Sequence, residues 1–377
     1  MKEDLLKPFL EVANNPFESL RELKARKKII GSTLADVPEE IIHAAGLHPF
    51  LILGTNELIK VAAALMPDNA CSLARSNLEL VLAYQRDFFD GFVLSQVCDT
   101  TQHLCDIWKR RFQDRYFENF LAPRQVSRPS ARRWVAVEMR RLKASLERFT
   151  GQEITEEGLR ESIKLFNENR RLLAQLYDIK RRAPGILSNR EFFDVVKAAF
   201  FMDRAEHTKL LKPLLQWAEA EAEGWKAKDS FPAVVAGIVV EPPQIYDIFD
   251  EVGANIVADN LPTASRYIYF PASEEGDPIE ALAERHVSRP NFSPINDQVE
   301  RVYTDLIELY RGYGARALFY IHIQYCESQD YDLPDIKRKM REEGIPMLVV
   351  ETEYQTTHLA LMKTRIEAFC EAVLGRV

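Results

Sequence analysis

Four short runs of apolar, β-branched and aromatic residues open the chain, and four more close it. The early runs are KIIGSTL around Ile29, FLILG at Phe50–Gly54, FVLSQV at Phe92–Val97 and YFENFLAP at Tyr116–Pro123. The late ones are AVVAGIVV at Ala233–Val240, ANIVADNL at Ala254–Leu261, ALFYIHIQY at Ala317–Tyr325 and PMLVVET at Pro346–Thr352. Hardly any of them alternates polar with apolar residues, so both faces of each strand belong in an interior, and helix-length sequence separates them. That is the pattern of βαβ units on parallel sheets. From about Ser130 to Trp225 the period changes to three and four. VAVEMRRLKASLERFTG and GLRESIKLFNENRRLLAQLYDIK read as amphipathic helices, with Thr155 placed to cap the second and Ala183-Pro184-Gly185 to end it.

The two strand-rich regions look like copies of one another. IIGSTLADVPEEIIHAAGLHPFLI compares with VVAGIVVEPPQIYDIFDEVGANIV: a strand, an acid, a proline, an isoleucine opening a helix, a glycine, another strand. FDGFVLSQVCD compares with GARALFYIHIQYCE, each a glycine, an apolar strand, then cysteine and an acid. The expected fold class is therefore α/β. It has two similar parallel-sheet domains of Rossmann or flavodoxin-like kind, residues 1–129 and 229–377, with a helical segment, 130–228, between them.

Composition narrows the function classes. The chain has 377 residues, 46% of them apolar, and a formal net charge of −8. An acidic chain lacks the basic footprint of a nucleic-acid binder. No run of 18 apolar residues exists to cross a membrane, and MKEDLLKPFLEVANNPFESL lacks the apolar centre of a secretory leader, so a cytoplasmic location is expected.

Five cysteines, at 71, 98, 105, 326 and 370, are odd in number and form no CxxC pair, so neither a disulfide framework nor a zinc ribbon is encoded. Cys98 and Cys326 occupy equivalent places in the two halves, just past the carboxyl end of a central strand, where ligands bind open α/β sheets. Cys71 follows Pro67-Asp68-Asn69 and opens a helix, where exposed N–H groups favour a thiolate. Three thiolates without ligating histidines suit an iron–sulfur cluster better than zinc; a buried thiol that only packs is the competing reading. Cys105 and Cys370 read as core, with Cys105, seven residues after Cys98, the one further ligand candidate.

Proton-transfer candidates are Asp99 and Glu327, which follow the two strand-end thiols, and His103, one turn past Asp99; each is equally placed to cap or pair locally. His43 reads as a core histidine and Arg75 as one half of a salt bridge. Gly312-Tyr313-Gly314-Ala315-Arg316-Ala317 precedes a strand, the wrong context for dinucleotide binding, and no Walker A sequence is present. The clusters Lys109-Arg110-Arg111, Arg132-Arg133 and Lys180-Arg181-Arg182 are either solvated helix faces or places for phosphates and a docking partner.

VPEEIIHAAGLHPF, NACSLARSNLE, QVCDTTQHLCDIWK, FFMDRAEHTKL and YCESQDYDLPDIKRKMREEGIPMLVVETEYQTTHLALMKTRIEAF occur in order over nearly the whole chain. With them the sequence resembles the superfamily of 2-hydroxyacyl-CoA dehydratases and ATP-dependent benzoyl-CoA reductases. The resemblance implies a [4Fe–4S] cluster on Cys71, Cys98 and Cys326, a paralogous iron–sulfur partner subunit and an acyl-CoA substrate. It also implies a separate ATP-hydrolysing activator that delivers low-potential electrons, so that ATP is not bound by this chain. CDTTQHLCDIWKRRF and LAPRQVSRPSA look more like the benzoyl-CoA reductase branch, in which electrons enter an aromatic thioester through a ketyl-type radical. A dehydratase subunit, a non-catalytic electron-relay partner and a metal-free α/β binding protein are the alternatives.

Overall fold

The computed structural model describes residues 1–34, 36–226, 229–291, 293, 297, 300–354 and 358–375. Lys228, the expected end of the helical segment, and Gln355–Thr357, within the last stretch of the resemblance, lie outside them.

The early runs form β1 (Ile29–Thr33), β2 (His48–Leu51), β3 (Gly91–Ser95) and β4 (Tyr116–Phe120), and the late runs form β5 (Phe231–Gly237), β6 (Ala254–Asn260), β7 (Ala317–Ile323) and β8 (Met347–Thr352). They make two four-stranded sheets, ordered β2-β1-β3-β4 and β6-β5-β7-β8. Every pairing is parallel, with Ile30 opposite Gly91 in the first sheet and Ala233 opposite Ala317 in the second. The α/β reading holds, and the two sheets repeat one topology, as the paired sequence patterns require. β2 and β5 each begin two residues before their expected runs, Phe50–Gly54 and Ala233–Val240, and end three residues before those runs do. Gly54, at φ 74°, turns the chain away soon after β2.

Both faces of each sheet are covered, which is why the strands read as nearly continuous apolar runs. On one face of the first sheet Ile30, Val93 and Phe120 pack with Val135, Met139 and Leu142 of the helix Pro129–Thr150. On its other face Phe50 and Phe92 belong to a core that continues through Phe192 to Phe231 and Phe319 of the second sheet. Fully burying such a side chain stabilises by about 1.5–3 kcal/mol, so the shared core holds the halves together.

The middle of the chain supplies four helices: Pro129–Thr150, Glu156–Arg182, Asn189–Ala198 and Arg204–Ala222. The Thr155 hydroxyl accepts the Gly158 N–H at 3.1 Å, as the ITEE pattern predicts, and the second helix stops at Arg182. The N-terminal helix Lys2–Asn14 packs on this segment through Phe9, edge-on to His207, and a Lys2–Glu191 ion pair of 2.7 Å.

Buried ion pairs tie the helical segment to the first half and the second half to the first. Arg170 pairs with Glu40, both 1% exposed, Arg204 reaches Glu39 at 3.3 Å, and Arg289 reaches Asp36 at 2.6 Å. Lys180, expected within a basic surface cluster, is wholly buried. It donates to Asn255 Oδ1 at 2.7 Å and Ile256 O at 2.9 Å, and burial brings its pKa down to about 7. It is therefore closed to a phosphate: the amphipathic helix turns that lysine inward against β6 and leaves Arg182 at the surface. Among the described residues no helix is long and apolar enough to cross a membrane.

Candidate metal centre

In each sheet the chain leaves the first-formed pair of strands and crosses to the other side, so the strand order reverses between β1 and β3 and between β5 and β7. Such switch points leave a crevice beyond the carboxyl ends of the strands. Here one cavity is lined from all four of those ends: Thr33 and Leu34 after β1, Cys98 after β3, Ile238 after β5 and Cys326 after β7. Cys71 joins them from the loop between β2 and β3. Three thiols from distant segments therefore meet in a mostly apolar hollow.

All three occupy the same local position. Cys71 is the N-cap of the helix Ser72–Glu79, Cys98 of Asp99–Arg111 and Cys326 of Glu327–Glu342. The first N–H groups of a helix have no partner within it and carry partial positive charge, so three helix starts aim at the sulfurs. The Cys71 pKa is lowered, first by the neighbouring Cys326 thiol and then by the Ala74 and Leu73 N–H groups and Arg75, against the effect of burial. The neighbouring Cys71 and burial raise Cys326, and burial raises Cys98 against hydrogen bonding with Thr101. Metal binding would release the thiol protons, because ligating thiols must be deprotonated.

The N3 residue of two of these helices holds the cap in place. Thr101 Oγ1 accepts the N–H groups of Val97 and Cys98, each at 3.0 Å, and donates to Cys98 O at 2.9 Å. The fully buried Gln329 accepts the Ile323 N–H at 2.9 Å and donates to Ile321 O at 2.8 Å, pinning the Cys326 helix to the end of β7. Sequence reading missed both, although a capping side chain three residues after each strand-end cysteine was the available signal. Of the two non-glycine residues with positive φ among the described residues, Leu34 lines the cavity and Tyr325 directly precedes Cys326, both at 62°. Bulky residues there cost about 1–3 kcal/mol each, a strain that gathers at functional sites.

Replacing Thr101 by Val or Gln329 by Leu keeps the thiols but frees buried backbone groups. Supporting residues of this kind are worth about 10–100-fold in metal affinity. Competition with a chelator during reconstitution with iron and sulfide should show a loss of that size in both variants. Unchanged retention would remove the positioning role.

The other expected residues distribute unevenly. Glu327 lines the cavity rim and is itself exposed. Asp99 and His103 are each 69% exposed, 3.6 Å apart, and line a separate hollow with Asp106, Ile107 and Arg110. Their i, i+4 spacing puts both on the solvent face of the helix, so the structure does not bring them to the thiols. Cys105 is buried in the large core, its pKa pushed up to about 12 by burial, and Cys370 lies in the same core. His43 is half-buried beside Ser162, 3.0 Å from its hydroxyl, and Arg75 reaches Asp68 at 3.4 Å. Lys109, Arg110, Arg111 and Arg133 are exposed, and Arg132 pairs with Glu280 and Glu284.

Among the described residues no three His, Cys, Asp or Glu side chains converge as ligands of a single ion. A cluster asks for something different, because each thiolate ligates a different iron. The donor chemistry fits such a group: soft sulfurs, apolar walls and helix-start N–H groups that stabilise negative charge.

The chain thus defines a class, a doubled parallel α/β protein whose two switch points share a cavity of three helix-capping thiols. It belongs to the family described as 2-hydroxyglutaryl-CoA dehydratase, D-component, whose profile matches residues 35–373. It is similar to the lactoyl-CoA dehydratase subunit beta of Anaerotignum propionicum, 29% identical over 98% of each chain. The (R)-phenyllactyl-CoA dehydratase beta subunit of Clostridium sporogenes is 24% identical over 97% of each. A benzoyl-CoA reductase subunit of Thauera aromatica is 26% identical over 94% of this chain and 92% of its own.

Proposed function

We propose that this chain is the iron–sulfur subunit of a CoA-thioester enzyme, holding a [4Fe–4S] cluster on Cys71, Cys98 and Cys326. The observation that carries the reading is the meeting of three N-cap thiols in one cavity at the switch points of both sheets. Bound there, a cluster held by three thiolates would leave one iron to polarise a thioester carbonyl and would supply low-potential electrons singly. The protein's share is to stabilise the ligating thiolates through the helix-start N–H groups and to exclude water with Leu34, Leu73, Val97, Leu104 and Ile238. Glu327, at the rim, is the one acid among the three proposed proton carriers placed to serve the cavity.

The relatives are named as subunits of larger enzymes, which supports a second, paralogous subunit as partner. The family resemblance adds an ATP-hydrolysing activator as the source of electrons, since this chain has no Walker A sequence of its own. A cytoplasmic site of action fits both partners.

Two branches share this machinery. The segments around Cys98–Phe112 and Leu121–Ala131 favour a benzoyl-CoA reductase, acting on an aromatic thioester. Similarity to dehydratase beta subunits supports a 2-hydroxyacyl-CoA dehydratase as strongly. Anaerobic protein, co-expressed with a neighbouring paralogue, should contain about four irons and four sulfides per chain if it carries one such cluster. The EPR signal of the reduced cluster should change with benzoyl-CoA alone in the first case and with a 2-hydroxyacyl-CoA alone in the second. A signal indifferent to both makes the chain a relay subunit, and absence of iron rejects the cluster.

A further inference from the structure

An unpaired sheet edge is a template for another strand, so native chains cover or charge theirs. Here three of the four outer strands are closed from within. At β2 the Leu51 N–H donates outward to Phe200 O at 3.2 Å. At β4 the Arg141 guanidinium donates to Asn119 O, and Glu138 accepts the Leu121 N–H at 3.3 Å. At β6 Asn189 Oδ1 accepts the Ile256 N–H at 3.0 Å, while Lys180 and Arg181 donate to the Ile256 and Val257 carbonyls. All of these groups come from the helical middle of the chain.

The outer edge of β8 differs. The Leu318 N–H donates to Pro346 O at 3.0 Å and the Gln324 N–H to Thr352 O at 2.9 Å, so by alternation Leu348 and Val350 also turn their backbone groups towards β7. Those of Met347, Val349 and Glu351 point outward. Among the described residues they receive one bond, from the Arg365 guanidinium to Val349 O at 3.3 Å, and their three N–H groups make none. The strand reads MLVVET, without the lysine or proline that usually guards an edge. A hollow of about 320 Å³ runs beside it, walled by Leu348, Val350 and, from the helix Leu359–Leu374, Leu361 and Met362. Leu361 is 62% exposed, and Thr364, Arg365 and Ala368 continue its exposed face along the helix.

This edge is complementary to itself. Turned about a twofold axis through Val349, two β8 strands run antiparallel and every outward residue finds a partner. Val349 exchanges both bonds with its twin, and Met347 does so with Glu351 of the second copy. Leu348 then lies opposite Val350, apolar against apolar. Glu351, the one charge on the strand, falls opposite a methionine and about 14 Å along the strand from its twin, so no like charges meet. Val349 O has a second lone pair and keeps its bond from Arg365. Six residues of strand alone fall short of the roughly 1,000 Å² that a specific interface buries. The exposed Leu361–Ala368 face beside them supplies further area. We propose that β8 is a docking edge for a second copy of this chain, the two four-stranded sheets joining across the axis. The proposal stands apart from the iron–sulfur reading.

The test is sedimentation velocity on the full chain, purified alone and kept reduced, between about 1 and 100 µM. The chain should pass from monomer to dimer as concentration rises. Val349→Pro deletes an outward N–H and leaves the β7 ladder whole, since an edge strand tolerates proline where its N–H faces away. It should weaken association at least about tenfold. Leu361→Lys, at an exposed position, sets a cation on each side of the axis and should weaken association by a similar factor with its melting temperature unchanged. It decides the matter should the proline variant fail to fold. A chain that stays monomeric at every concentration overturns the proposal, and so does a dimer that neither substitution weakens. A chain monomeric alone that loses a neighbouring paralogue on Val349→Pro gives the edge to that subunit, which overturns the second copy as occupant. Iron content is measured on the same samples and bears only on the cluster.

Discussion

Single replacement of Cys71, Cys98 or Cys326 by Ala should strip most of the iron from chain purified without oxygen, while Cys105→Ala and Cys370→Ala should leave it in place. Cluster binding normally asks for four thiolates, so a site already working with three has none in reserve. Cys105 and Cys370 lie in the main hydrophobic core, and their removal costs packing rather than ligation. Melting temperatures of the five variants separate the two effects, because a core cavity lowers stability whether or not metal is bound. Iron per chain is the deciding number. Full retention in any one of the first three variants would falsify that residue's assignment as a ligand.

Arg170→Met should destabilise the fold by about 3–5 kcal/mol, since removing one partner of a buried ion pair leaves the other charge uncompensated. Arg170 and Glu40 are both 1% exposed, and Arg170 also donates to Asn167 Oδ1 at 3.3 Å. The deficit should depend on pH in a set direction. Burial pushes the Glu40 carboxyl up, but Arg170 and Arg285 more than reverse this and hold it at about 2. Its pairing therefore contributes fully above the ordinary glutamate pKa of about 4.3, and the contribution is lost as pH falls towards 2. The gap between wild type and variant in urea unfolding should be widest near neutrality and narrow below pH 4. A gap that stays constant across that range would mean the loss comes from packing of the long side chain.

Much of the fold was legible because burial on both faces leaves a mark that needs no knowledge of partners. Runs such as Ala317–Ile323 read as interior strands, and their repetition in two sets announced two sheets of one kind. The places of Cys98 and Cys326 followed from the same repetition. Reading side-chain direction was harder. Asp99 and Glu327 each follow a strand-end cysteine, yet Glu327 lines the thiol cavity and Asp99 lines another hollow. Lys180, in a run of three basic residues, is buried, and nothing in its neighbours' identity says which way the helix is turned.

The sequence alone determined the α/β class, the doubling, the helical middle and the three thiols, because each is written in local period, spacing or repetition. Tertiary structure alone decided that those thiols share one hollow, that Thr101 and Gln329 hold two of them, and that Tyr354 packs in the apolar cluster with Cys71 and Cys326. Those facts join residues as far apart as Ser72 and Tyr354, whose N–H donates to the serine hydroxyl at 3.2 Å. Contacts of that separation depend on how two sheets pack through a common core, and no local pattern encodes the packing.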